Sequence, residues 1–114
     1  MAQLVVQLDA DLDGASPEFV AVDPLGDRWL NLYPEPEVWV SNTTTGVVTA
    51  TIKVQQPCTY GVHPDEVRTV QPGLLVRLGQ FNQPQFSGID GCAEISFDIT
   101  AGVEIAIVQP IGVQ

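Results

Sequence analysis

The chain has 114 residues, 45% of them apolar, which is enough for one domain with its own core and too little for two. Fourteen acidic against four basic residues give a formal net charge of −10. That balance excludes nucleic-acid binding by phosphate neutralisation and docking of a basic face on an anionic membrane. The composition also excludes a mostly disordered chain, and no apolar run approaches the ~20 residues of a membrane-spanning helix.

Met1–Leu8 has neither a basic segment nor a long apolar one, so no secretory leader is expected. Leu4, Val6 and Leu8 fit one strand and Phe19–Val22 another. Residues 1–36 nonetheless read as an acidic arm or lead-in. Pro17, Pro24, Pro34 and Pro36 interrupt the stretch, and residues 1–37 hold eight acidic side chains beside one base, Arg28.

Beyond it the pattern is that of strands. Sixteen valines, seven isoleucines and eight threonines favour extended backbone over helix. Glu37–Ser41 alternates Val38 and Val40 against Trp39. Residues 42–46 lead into Val47–Gln55, with Val48, Ala50, Ile52 and Val54 inward. Glu66–Val70 and Leu74–Leu78 flank Gln71-Pro72-Gly73, where a type II turn gives Gly73 a positive φ. Ala93–Thr100 sets Ala93, Ile95, Phe97 and Ile99 on one face. Ala101-Gly102 then turns into Val103–Gln109, with Val103, Ile105 and Ile107 inside, and the two segments read as a β-hairpin. The expected fold is all-β: an antiparallel β-sandwich or small β-barrel over 37–114 with an N-terminal extended arm over 1–36, one domain overall.

Candidate chemistry is sparse. Asp9, Asp11 and Asp13 before Gly14 match the first half of a calcium loop, but Val20 stands where a bidentate glutamate belongs and Pro17 breaks the middle. A solvated acidic turn is the favoured reading, so no metal or cofactor is expected. Cys58 and Cys92 lie 34 residues apart with only His63 near, too few ligands for zinc. They are either two thiols or one disulfide. Cys58, His63 and Asp65 are close in sequence, yet no nucleophile elbow or oxyanion loop accompanies them. Glu94 and Asp98 share a strand face and read as a solubilising pair, so no enzyme is expected. Trp29, Tyr33, Trp39, Tyr60, Phe81 and Phe86 are open to three readings: core, protein interface or a platform for sugar rings. Asn42-Thr43-Thr44 matches a glycosylation sequon and reads as a polar turn.

From Gly26 onward the order of features resembles the small β-sandwich head-decoration, or cement, proteins of tailed bacteriophages. The likeness is carried by Gly26-Asp27-Arg28-Trp29-Leu30-Asn31, Val38-Trp39-Val40-Ser41-Asn42 and Val48-Thr49-Ala50-Thr51-Ile52. It continues through Arg68-Thr69-Val70-Gln71-Pro72-Gly73, Gly79-Gln80-Phe81, Phe86 and Gly88–Ile95, covering roughly residues 26–113. The two cysteines and the longer acidic lead-in depart from that pattern. The resemblance implies a protein without an active site that binds the outside of a phage head and ties major capsid protein subunits together. It would work in many copies, as a homo-oligomer with a trimer preferred, on the virion exterior after assembly in the host cytoplasm. Leu4, Val6, Phe19, Trp29, Tyr33 and Trp39 are the candidate interface residues. The alternatives are a carbohydrate-binding or adhesive β-sandwich and a tail or baseplate component.

Overall fold

The computed structural model describes residues 1–8, 16–56 and 64–109. In chain order its strands are β1 (Ala2–Gln3), β2 (Val6–Leu8), β3 (Val20–Ala21), β4 (Asp27–Leu30), β5 (Glu37–Asn42) and β6 (Val48–Ile52). They continue with β7 (Glu66–Val70), β8 (Leu75–Gln80), a one-turn helix α1 (Gln83–Phe86), β9 (Cys92–Phe97) and β10 (Val103–Gln109). One sheet runs β1-β4-β9-β6-β7. The other runs β2-β10-β5-β8, with β3 also on β10. The protein is an all-β sandwich.

Alternation sets which side chains meet between the sheets. Trp29, Val48, Ala50, Ile52, Val70, Ala93 and Ile95 of the first sheet face Val38, Val40, Leu78, Val103, Ile105 and Ile107 of the second, and all are buried. Each such Val or Ile contributes about 1.5–3 kcal/mol by leaving water. β10 is buried on its outer face as well, at Ala106 and Val108, which is why it reads as a near-continuous apolar run.

Three expectations are corrected. The stretch 1–36 does not stand apart from the sandwich. β1 pairs in parallel with β4, β2 pairs in parallel with β10, and Leu4 between them is buried, with its N–H donating to Arg28 O at 2.7 Å. Every one of its strands is very short, and β4 carries the buried Trp29, so a boundary at residue 36 would cut through the core. Those two parallel pairings also make both sheets mixed, not purely antiparallel.

The third correction concerns connections. β9 and β10 are not a hairpin: they lie in opposite sheets. From β3 onward every connection except β6 to β7 passes from one sheet to the other. At the end of β9, Asp98 turns the chain away. Its N–H donates to Thr49 O at 3.1 Å and its Oδ1 accepts from Thr49 N at 2.8 Å.

This topology gathers the connections at two ends. One end holds the short turns around 22–26, 42–47, 71–74 and 98–102, where Gly73 takes the expected positive φ of 76°. The other end carries the connections 31–36 and 81–91, together with the described residues that leave β6 (53–56) and enter β7 (64–65).

Candidate interaction surface

The long-loop end is built around Asn31, which follows β4 and is fully buried. Its N–H donates to Gly91 O at 2.9 Å, and its Nδ2 donates to Phe81 O at 2.8 Å and Ser87 Oγ at 3.2 Å. Ser87 Oγ donates back to Asn31 O at 3.1 Å. These bonds tie the end of β4 to the segment 81–91. Within that segment Asn82 caps α1 by accepting from Gln85 N at 3.0 Å, and Pro84 sits in the first turn, where no backbone donor is needed. Phe81 and Phe86 meet edge to face at 5.2 Å beneath it.

Gln55 fastens the segment that leaves β6. Its Nε2 donates to both Phe86 O and Cys92 O at 2.8 Å, and its N–H donates to Gln85 O at 3.0 Å. The amide lies so close to Gly88 that a Cβ there would stand 2.6 Å from Gln55 Oε1.

This scaffold holds apolar side chains out to solvent. Leu30 and Leu32 are nearly half exposed and converge over Gly91, within 3.5 and 3.6 Å of where its Cβ would be. Ile89, at the tip of the same turn, is fully exposed, and Tyr33 is 71% exposed. Arg28 and Asp90 flank the patch at 3.8 Å from each other. Beside it an open groove of about 650 Å³ runs between Gln55, Gln56, Gly88, Ile89, Asp90 and Glu94. Apolar groups rimmed by charge in this way form a protein-binding surface more readily than a small-molecule site.

The expected interface residues fare differently. Tyr33 alone is well exposed. Leu4 and Trp29 are core residues, and Val6 packs against the core from its edge. Phe19 is half-buried. Trp39 lies on the outer face of the second sheet, but the Arg77 guanidinium stacks 4.8 Å above its ring. Glu37 holds that guanidinium through bonds of 2.6, 2.8 and 3.2 Å. With Trp29, Phe81 and Phe86 buried and Trp39 capped, the described aromatics do not assemble a flat platform for sugars. Leu30, Leu32 and Ile89 were missed because single aliphatic residues in polar loops carry no periodic signal.

Other polar candidates are tied into the fold. Asp65 Oδ1 accepts from Val54 N at 3.0 Å, and Asp98 caps Thr49 as above. Asn42 of the sequon is buried with its amide engaged, so it is a structural turn residue. Cys92 is a free, buried thiol on the outer side of β9, 3.8 Å from the Gln3 amide nitrogen. Asp9, Asp11, Asp13, Cys58, Tyr60 and His63 lie outside the described residues. Among the described residues, no three His, Cys, Asp or Glu side chains gather as a metal site.

One carboxylate is unusual. Asp27 points into the core, and its Oδ1 has no hydrogen-bond partner among the described residues. Burial pushes its carboxyl above the ordinary carboxylate range. The Asp23 N–H, donating to Oδ2 at 3.1 Å, opposes this; the Asp23 carboxylate adds to the rise and the N-terminal amine counters it. Asp27 sits at the short-turn end, away from the apolar patch.

Comparison of the chain with protein-family models, with curated proteins and with solved structures gives no match. The reading of function therefore rests on the residues and geometry above.

Proposed function

We propose that the chain is a capsid decoration protein, binding the outer surface of a phage head and bridging neighbouring subunits of the major capsid protein. The observation that carries the reading is the long-loop end: exposed Leu30, Leu32, Tyr33 and Ile89 held on a hydrogen-bonded scaffold, with Asp90 and Glu94 at the rim. A rigid patch of this kind loses little conformational entropy on docking, which favours binding through modest apolar contacts. Many copies on a lattice then sum such contacts by avidity. The net charge of −10 favours a locally basic receiving surface and sets the rate and orientation of encounter more than the final affinity.

Purified protein mixed with expanded heads of the phage that carries its gene tests this directly. Saturation at a fixed copy number per lattice position, with heads that melt at higher temperature, is the expected result. Heads that bind none of it, or purified virions that lack it, overturn the proposal. Imaging of labelled protein on whole particles separates a head site from a tail or baseplate site.

A further inference from the structure

We infer that β7 is a self-association edge, through which two copies of the chain join antiparallel about a two-fold axis at Val67. Sheet edges expose unpaired backbone groups and associate unless something blunts them. Among the described residues, three of the four edges are blunted. β1 has two residues, the β2/β3 edge is split between two short strands, and β8 is broken by a register shift opposite Val38/Trp39. β7 is different. All five of its residues pair in unbroken register with β6, and no described strand lies on its other side.

The charge pattern of Glu66-Val67-Arg68-Thr69-Val70 selects the partner and the register. In an antiparallel pair of identical strands, an axis through Val67 sets Glu66 of each copy opposite Arg68 of the other. An axis through Arg68 sets guanidinium against guanidinium, which is unfavourable. Glu66 and Arg68 already touch within one chain at 2.9 Å, with side chains 43% and 41% exposed, so each retains surface for a partner. The rest of Arg68 is fixed: its Nη1 donates to Leu78 O at 3.0 Å and its guanidinium lies 5.4 Å from the Phe81 ring centre. It is thus held in place before a second copy arrives. Val67, 57% exposed, would pack on its own copy at the axis. The two first sheets then become one continuous sheet, a two-fold contact in place of the trimer expected from lattice symmetry. This inference stands independently of the capsid reading.

Sedimentation equilibrium of the full chain tests it at ~100 µM, where a contact of micromolar Kd is essentially saturated. The expected mass is twice 12.3 kDa. Val67→Lys and Val67→Glu are each expected to be monomers with unchanged circular dichroism and melting, since residue 67 is exposed. Mixed in equal amounts, they should recover the double mass, because only an axis at residue 67 brings the two together. Glu66→Lys, which sets like charges across the axis, should also lower the dimer fraction. A monomeric or trimeric parent chain overturns the inference, and a monomer would leave the edge to a strand of a capsid subunit. Dimers that persist in both Val67 variants, or a mixture that stays monomeric, overturn it as well.

Discussion

Each end of the sandwich is organised around one buried asparagine, and the two asparagines are not equally served. At the short-turn end Asn42 Nδ2 donates to Gly46 O and Val70 O at 2.9 Å each, and its Oδ1 accepts from Thr44 N at 2.9 Å and Thr44 Oγ1 at 2.6 Å. At the long-loop end Asn31 Nδ2 is paired, but its Oδ1 has no partner among the described residues. The apolar exposures differ too. Leu25, Val47, Leu74 and Ile99 are spread over four separate turns, whereas Leu30 and Leu32 converge over Gly91 beside Ile89. At the short-turn end the asparagine amide is fully matched, although Asp27 Oδ1 there has no partner among the described residues. The long-loop end keeps its asparagine oxygen unpaired beneath an apolar surface, the combination expected where binding rather than stability shapes a region.

The largest effect that could break this comparison comes from the asparagines themselves. Asn42→Ala takes the amide donor from Val70 O and from Gly46 O, which keeps Thr44 Oγ1, and releases the Thr44 turn, and is expected to cost ~3–4 kcal/mol in urea unfolding. Asn31→Ala is expected to cost about half as much, because it also removes the unpaired Oδ1. Equal costs would mean that the ends are equally well built. Next comes Gly102→Ala. Its φ is +83°, and a Cβ there would meet Thr44 Cγ2 at 3.0 Å and Thr43 Oγ1 at 3.3 Å, so a loss of about 1–2 kcal/mol is expected. Gly46→Ala, with open space around it, should be close to neutral in the same assay.

Asp27 supplies a pH-dependent effect at the short-turn end. Its carboxyl holds its proton more tightly folded than unfolded, so its contribution is fully present below the unfolded value. That contribution is lost as pH rises through the raised folded value. Asp27→Asn keeps an acceptor for the Asp23 N–H and removes the charge, and should flatten stability between mildly acid and neutral pH relative to the parent. Parallel stability profiles for the two proteins would show that Asp27 is not the group responsible.

Alternation made the faces of β5, β6, β9 and β10 legible, because period two depends only on which side of a strand meets the core. It says nothing about which strand lies alongside. The same pattern in 93–109 suits a hairpin and a pair split between sheets, and the bonds from Asp98 to Thr49 decide between them. The N-terminal strands were harder to read for a different reason. β1, β3 and β4 have two, two and four residues, too short for a periodic signal, and Trp29 directly follows the charged Asp27 and Arg28. Asp27 carries no mark in the sequence that it faces inward. The candidate surface was the least legible part: Leu32 and Ile89 lie 57 residues apart, and the bonds of Asn31 to Phe81, Ser87 and Gly91 bring their loops together.

The smallest expected change in stability carries the sharpest functional test of the comparison. Leu30→Ser, Leu32→Ser and Ile89→Ser combined remove the apolar patch while leaving the Asn31, Gln55 and Ser87 bonds intact. These side chains are already exposed or half-exposed, so unfolding should shift by no more than ~1–1.5 kcal/mol in total. A matched triple at the other end, Leu25→Ser, Leu74→Ser and Ile99→Ser, removes similar apolar groups from separate turns. If the long-loop end is the docking surface, the first triple should lower retention on phage heads tenfold or more, while the second should bind as the parent does. Central apolar anchors dominate an interface and scattered ones do not, so the ratio between the triples measures the claim better than either alone. Equal loss in both would show that the surface extends over the short-turn end. No loss in the first would remove the patch from the binding account and leave the sheet faces as the remaining docking surface.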